Sequence, residues 1–301
     1  MRLLSVHAHP DDESSKGAAT AARYVAEGHR VRVVTCTGGE RGDILNPRYE
    51  PVPAADLAEI RRAEMAAAAA ALGVEHAWLG FVDSGLPEGD PLPPLPDGCF
   101  ALQPYEVTVP ALVAQLREFR PHVVVTYNEQ GGYPHPDHVM THHVTMRAVE
   151  AAADPEFGDG ESWLVQKVYY DVAFSHARIE AAHAAILAAG GESPYAEWIA
   201  RMERREQRPV TARVHAAEYF PHRDAALRAH ATQVDPEGFF FHFPRHIERE
   251  VWPVEEFELA RTRVPTTPFE DDLFAGVVED GAGVSVDWLE IGADGGASRH
   301  P

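Results

Sequence analysis

Two cysteines in 301 residues, Cys36 and Cys99, leave no material for a disulfide framework or a cysteine-built zinc knuckle. Both are expected to be reduced, and Cys36, inside an apolar strand, reads as core rather than nucleophile. Basic residues are scarce too: 26 Lys and Arg against 47 Asp and Glu give a formal charge of −21 and a pI near 5.1. That balance argues against nucleic acid as a partner, because phosphate binding needs a basic face, and against docking on an anionic membrane. The longest uncharged apolar run, Met65 to Val74, is mostly alanine and too short to span a bilayer. The opening MRLLSVHAHPDDE breaks its apolar stretch at histidine, so no secretory signal is expected and the expected location is the cytoplasm. The motifs of phosphate and serine chemistry are missing. There is no G-x-x-x-x-G-K-[ST], Ser84 stands in no G-x-S-x-G elbow, and the glycine loop Thr37–Gly42 follows the second strand rather than the first.

What is present is a globular chain, 45% hydrophobic, with apolar segments in a regular order. Leu3–Val6, Val31–Cys36, His76–Phe81 and Pro121–Tyr127 read as strands. Between and after them Ser14–Glu27, Ala54–Leu72, Val107–Phe119 and His138–Ala153 read as helices. Alternation of this kind predicts an α/β fold, a Rossmann-like parallel sheet flanked by helices, with ligands beyond the carboxyl ends of the strands. The core is expected over residues 1–155. A mixed α/β segment, 156–290, would pack on it and complete the substrate cleft, with strands near Val165–Val172, Val210–Val214 and Phe257–Val264. Helices are expected there over Ala177–Ala189, Tyr195–Glu206 and Tyr219–Thr232. Residues 291–301, glycine-rich and polar, read as a disordered tail. The proline-rich stretch Leu86–Cys99 is long enough to be a binding loop, and Gly38, Gly39 and Gly42 suggest a flexible one.

Two clusters carry chemistry. His9-Pro10-Asp11-Asp12-Glu13 ends the first strand, and Gly131-Gly132-Tyr133-Pro134-His135-Pro136-Asp137-His138 follows the Val123–Tyr127 strand. His9 and Asp12, three apart across a turn, can converge on one cation. With His138 they make two imidazoles and one carboxylate, a catalytic zinc set that leaves a position for water or substrate. Asp11 can then take a proton from the water, and His135 can stabilise an oxyanion or protonate a leaving amine. The plainer alternative is a turn or helix cap among seventeen histidines, mostly packing or solvated. Two such clusters at strand ends of one sheet favour the metal site.

These two segments resemble the diagnostic motifs of the LmbE-like family of zinc-dependent deacetylases and amidases. The likeness runs from Arg2 to about Phe274 and is close to one amidase subgroup in Ser14–Thr20, Thr37–Pro47, Leu79–Pro87, His230–Gln233 and Phe257–Arg263. The resemblance implies His9, Asp12 and His138 as ligands of one zinc per subunit, with ferrous iron the alternative, and Asp11 as general base. It implies His135 as acid or oxyanion partner oriented by Asp137, Tyr133 near the scissile carbonyl, and Arg61 and Asp83 on a glucosaminyl-inositol unit. Lys16 resembles the amidase subgroup rather than its deacetylase sister and could grip a cysteinyl part; otherwise it is a solvated charge on a helix face. His230 and Gln233 are weaker site candidates. Asn128 departs from the aspartate that relatives more often carry, which removes a carboxylate from that position.

The implied substrates are small molecules, mycothiol S-conjugates, cleaved to glucosaminyl-inositol and a mercapturic acid for detoxification. The alternatives are deacetylation of N-acetylglucosaminyl-inositol and, in another class, a non-catalytic sugar- or nucleotide-binding module. A general base beside an open metal position speaks against the last.

Overall fold

Runs of Val and Leu with few polar interruptions build the centre of the sheet, as expected for strands covered on both faces. In this computed structural model residues 1–50, 52–202, 207–292 and 295–298 are described. Strands β1 (Arg2–His7), β2 (Arg30–Thr37), β3 (Glu75–Phe81), β4 (Val123–Thr126) and β5 (Lys167–Asp171) run parallel. β7 (Val254–Thr262) adds antiparallel to β5, and β6 (Ala212–His215) antiparallel to β7, giving the spatial order β3-β2-β1-β4-β5-β7-β6.

The chain leaves β1 toward β2 on one side and returns to β4 on the other. A crevice opens where the direction of winding reverses, at the carboxyl ends of β1 and β4. Both chemical clusters of the sequence lie there.

One face of the sheet, with Leu4, Val6, Val34, Val124 and Val168, packs on Leu112 and Leu116 of α4 (Tyr105–Phe119) and Val144 and Ala148 of α5 (Pro136–Ala153). The other face, with Leu3, Val31, Val123, Val125 and Tyr169, receives Tyr24 of α2 (Ala18–Ala26). The alanines of α3 (Ala54–Leu72) have a packing role: Ala68 and Leu72 meet Ala18 and Ala22 of α2 and Ala226 of α8 (Phe220–Ala229). Small side chains let these three helices approach closely behind the site.

The helix expected over Ser14–Glu27 is broken. A single turn, α1 (Asp12–Ser15), stops at an extended Lys16, and Gly17 has φ +76° before α2 begins. A Cβ on Gly17 would stand 3.4 Å from the Phe257 ring, so the break also lets β7 pack close. The segment after residue 155 contributes β5, β6 and β7 to the same sheet, so the boundary there is a change of connectivity within one layer. Its helices are α6 (His176–Ala188), α7 (Ala196–Met202), α8 and α9 (Arg245–Val251). Residues 203–206 of the expected Tyr195–Glu206 helix lie outside the described residues, and α9 was not expected. The glycine-rich end is not free where it is described: Thr266 and Ala297 exchange backbone hydrogen bonds at 2.8 and 3.1 Å, and Ala297 is buried. Residues 293–294 and 299–301 of the expected tail lie outside the described residues.

Three of these later helices are joined by one carboxylate. Glu248 of α9 accepts from Arg178 of α6 at 2.9 Å, from Arg223 of α8 at 2.8 and 3.0 Å, and from Arg245 at 2.9 Å. Burial works against its ionisation, but the three guanidinium groups outweigh burial and hold it at about 2. The folded state thus favours the ionised form. This stabilisation is full above the ordinary glutamate value of 4.5 and is lost as pH falls toward 2. Glu248→Gln is expected to destabilise the fold by about 3 kcal/mol, because the buried Arg223 and the partly buried Arg178 and Arg245 lose the carboxylate they share, Arg223 and Arg245 keeping only Asp224. Urea unfolding at pH 7 measures this, and the difference from wild type should shrink on acidification below pH 4.5.

Candidate metal centre and active site

After β1 the chain turns sharply at Pro10 and Asp11. Asp11 takes a left-handed conformation, φ 116°, rare for a residue with a side chain. This turn starts α1 and brings the Asp12 carboxylate back under His9, whose amide donates to Asp12 Oδ2 at 3.0 Å. After β4, a turn through Gly131 and Gly132, both at positive φ, delivers His135 as the N-cap of α5 and His138 in its first turn. A Cβ on Gly131 would stand 2.6 Å from His138 Cβ, so this close approach requires glycine. Asn128 Oδ1 secures the turn by accepting from the amides of Gln130 and Gly132 at 2.9 and 3.2 Å.

The two turns meet. His138 Nε2 lies 3.4 Å from Asp12 Oδ2, and His9 Nδ1 lies 3.6 Å from the same oxygen. The donor atoms of His9, Asp12 and His138 all fall within 4.8 Å of one another. His138 Nδ1 donates to the Gly131 carbonyl at 2.9 Å, which leaves Nε2 unprotonated, and that atom is buried without a hydrogen-bond partner. An orphaned imidazole nitrogen facing a carboxylate and a second imidazole fits a metal ion, and the N,N,O set suits one. His9, Asp83 and His135 form a second possible grouping. Asp83 and the Nδ1 of His135 are already engaged by backbone amides, which favours the first.

Surrounding groups orient these ligands. His9 Nε2 faces Asp137 Oδ2 at 3.3 Å and Asp83 Oδ1 at 3.5 Å, a carboxylate–histidine arrangement that turns Nδ1 toward the metal position. Asp12 accepts from Tyr127 Oη at 2.7 Å and from Lys16 Nζ at 2.6 Å. Burial opposes ionisation of Asp12, but His138 and Lys16 hold its pKa well below the ordinary value. Burial, aided by the neighbouring Asp12, pushes Asp11 up to about 6. Burial and then the imidazoles of His9 and His138 push His135 down to about 4. Tyr133 is pushed up to about 12, first by burial and then by Asp12.

Asp11, Lys16, Arg61, Asp83, Tyr133 and His135 all line one cleft of about 1930 Å³ with His9 and Asp12. Two placements differ from expectation. The Asp137 carboxylate does not touch His135; it accepts from the Ser84 amide at 2.8 Å and from the Ser84 hydroxyl, and faces His9. Its backbone N–H is what meets His135 Nδ1, at 3.1 Å. Asp83, expected to be open to a polyol, is 2% exposed and accepts from the amides of Arg41 and Gly85 at 3.0 and 2.8 Å. Arg61 is as deeply buried, but it reaches the cleft and donates to the carbonyls of Gly42 and Asp43. The glycine loop is therefore stapled rather than flexible, and a Cβ on Gly39 or Gly42 would stand 2.8 Å from the Arg61 guanidinium. Lys16 is no solvated charge: its ammonium sits on Asp12 and on Ser15 Oγ, 3.1 Å away. Of the proline-rich stretch, only Leu86 and Glu88 reach the cleft.

Tyr127, Ser84 and Glu13 were missed by sequence reasoning. Tyr127 looked like one more apolar strand residue, and no spacing rule relates Ser84 to Asp137 fifty-three positions away. Glu13 accepts from the Asp11 amide at 3.0 Å and from His230 Nε2 at 2.7 Å, while Gln233 Nε2 donates to the Pro10 carbonyl at 2.7 Å. His230 and Gln233 thus fasten the turn at Pro10 and Asp11 from behind.

Comparison with known proteins agrees with this geometry. The family described as PIG-L, GlcNAc-PI de-N-acetylase, matches residues 4–149. The chain is 56% identical over 285 residues to the mycothiol S-conjugate amidase of Streptomyces coelicolor, covering 92% of this chain and 97% of that protein. It is 42% identical over 294 residues to the 1D-myo-inositol 2-acetamido-2-deoxy-alpha-D-glucopyranoside deacetylase of Geodermatophilus obscurus, covering 92% and 98%. Among solved structures, the N,N'-diacetylchitobiose deacetylase of Pyrococcus horikoshii superposes with a TM-score of 0.58 at 19% identity, covering 92% of this chain and 86% of that one. That last likeness is one of fold.

Gly131→Ala is expected to weaken metal binding by about 10- to 100-fold, since it displaces both His138 and the carbonyl that orients it. Competition with a chromophoric chelator measures this, with the far-ultraviolet dichroism expected to stay as in the wild type.

Proposed function

We propose that this chain, which belongs to the PIG-L de-N-acetylase family, is a zinc-dependent amidase acting on mycothiol S-conjugates. It hydrolyses the amide between glucosaminyl-inositol and the N-acetylcysteine portion, releasing glucosaminyl-inositol and a mercapturic acid. The observation that carries this reading is the 56% identity to the Streptomyces coelicolor amidase, against 42% to the deacetylase over the same share of this chain. Lys16, bonded to Asp12 and lining the cleft, supports it as the residue that would grip the cysteinyl part.

Held by His9, Asp12 and His138, zinc supplies Lewis acidity, lowering the pKa of water and polarising the scissile carbonyl. The chain's own groups move the protons. Asp11, with its pKa near 6, is mostly ionised at neutral pH yet basic enough to take a proton from the attacking water. His135 is neutral there, and because Nδ1 accepts from the Asp137 amide, Nε2 carries the proton. That N–H donates to the developing oxyanion, and the proton that Asp11 takes from the water passes on to the amine nitrogen as the C–N bond breaks. Tyr133 stays protonated and offers a further donor at the mouth of the site. Arg61 faces the hydroxyls of the sugar part, and Asp83 contributes by holding His9 and the loop at Arg41.

The test is release of primary amine from a mycothiol S-conjugate and, separately, from N-acetylglucosaminyl-inositol, with a chelated control. Faster, chelator-sensitive cleavage of the conjugate is expected; preference for the acetylated sugar would move the chain to the deacetylase side. Asp11→Asn should lower kcat by about 10²- to 10⁴-fold with zinc content unchanged. Full turnover by that variant would remove Asp11 from the mechanism.

A further inference from the structure

The cleft is larger than its chemistry requires. Ligand pockets commonly enclose roughly 300–1,000 Å³, whereas this one encloses about 1930 Å³ and continues past the metal residues along the segment that follows β5. That direction is set by the sheet. β5 lies beside β4, with Thr126 paired to Tyr170, so the residues after Asp171 emerge one strand away from the turn that carries His135 and His138.

The far wall is aromatic. Phe174, Trp198 of α7 and Phe239 meet as a triangle, with ring centroids 5.4 Å (Phe174–Trp198), 5.4 Å (Phe174–Phe239) and 5.0 Å (Trp198–Phe239) apart, and Phe240 adjoins Phe239 at 5.5 Å. All four rings line the cleft, and Phe239 is 40% exposed. Scattered exposed apolar side chains are ordinary, but a cluster of rings facing a concave cleft beside the candidate metal residues has the character of a binding surface. Along this part of the cleft Arg208 is paired with Glu258 and Glu129, and Arg213 with Glu256. The wall therefore presents ring faces more than free charge.

Phe174, Phe239 and Phe240 also border a second, smaller cavity of about 40 Å³, whose other lining includes Ile179, Ala182, Arg178 and Arg223.

We propose that Phe174, Trp198 and Phe239 form the subsite for the S-substituent of the conjugate, and that it takes apolar, preferably planar aromatic groups. This rests on the amidase reading, and it adds which electrophile-derived groups the enzyme selects. In such a substrate the sulfur stands only a few bonds beyond the scissile carbonyl. With the carbonyl at the metal and the sugar toward Arg61, the substituent leaves toward β5 and the rings. Burying it there removes apolar surface from water and adds ring–ring contact, a gain unavailable to a small aliphatic substituent or to an acetylated sugar without sulfur.

The experiment compares an S-benzyl conjugate with an S-methyl conjugate in zinc-loaded wild type and in Phe239→Ala and Trp198→Ala, reading the ratio of the two kcat/KM values. The wild type is expected to favour the benzyl conjugate by at least about tenfold, chiefly through KM, and each variant to bring that ratio down toward one. Because Phe239 is partly exposed, its truncation is the milder change; Phe239→Leu, which keeps bulk but not the ring, is the companion variant and should fall between. A ratio near one in the wild type, or one unmoved in both alanine variants while conjugates are still cleaved, overturns the subsite. Failure of the wild type to cleave either conjugate overturns the amidase reading itself, which is a different result.

Discussion

The Asp12 carboxylate accepts from Lys16 on one oxygen and from Tyr127 and the His9 amide on the other, while His9 and His138 stand beside it. These contacts tie the first turn of the chain, the end of β4 and the start of α5 to a single buried anion. A charge in that position is costly unless its surroundings compensate it. The compensation here is an ammonium and two imidazoles, so the requirement that stabilises Asp12 also assembles the donor atoms of the candidate metal site. Only two of the 26 basic residues in the chain are lysines, and one of them is spent here.

Placing Asp12 in this way has a backbone consequence. The turn is tight enough that Asp11 adopts φ 116°, a conformation that costs on the order of 1–3 kcal/mol for a residue with a side chain. It persists because Glu13 holds the Asp11 amide, His230 holds Glu13, and Gln233 holds the Pro10 carbonyl. The residues after α8 are therefore part of the active-site scaffold although they touch none of its reacting atoms. The Glu248 cluster acts one layer further out, joining α6, α8 and α9 around the far end of the cleft. The two ends of the cleft differ in character: charged, hydrogen-bonded groups around the candidate metal position, and a cluster of aromatic rings at the other.

Much of the fold could be read from the pattern of apolar residues. The strands and helices of the first 155 residues fall close to where periodicity placed them, because a sheet covered on both faces demands nearly continuous Val and Leu in its strands. The split at Lys16–Gly17 was not legible, since Ser14–Glu27 has helical spacing throughout and the break answers to the Phe257 ring far along the chain. Nor was α9 legible: this short helix is held by pairs of Glu248 with Arg178 and Arg223, which are distant in sequence.

The sequence by itself determined the set of donor groups: a strand ending in His-Pro-Asp-Asp-Glu and another followed by Pro-His-Pro-Asp-His bring imidazoles and carboxylates to one edge of a parallel sheet. Those residue types and their nearness to strand ends are local properties, readable without coordinates. What only the tertiary structure decided is how each group is used. It turned Asp137 onto Ser84 and His9, closed Asp83 off from solvent, set Lys16 on Asp12, and gathered Phe174, Trp198 and Phe239 into one wall. These outcomes follow from burial and from partners distant in sequence, and such partners exist only once the sheet has formed and the later helices have packed against it.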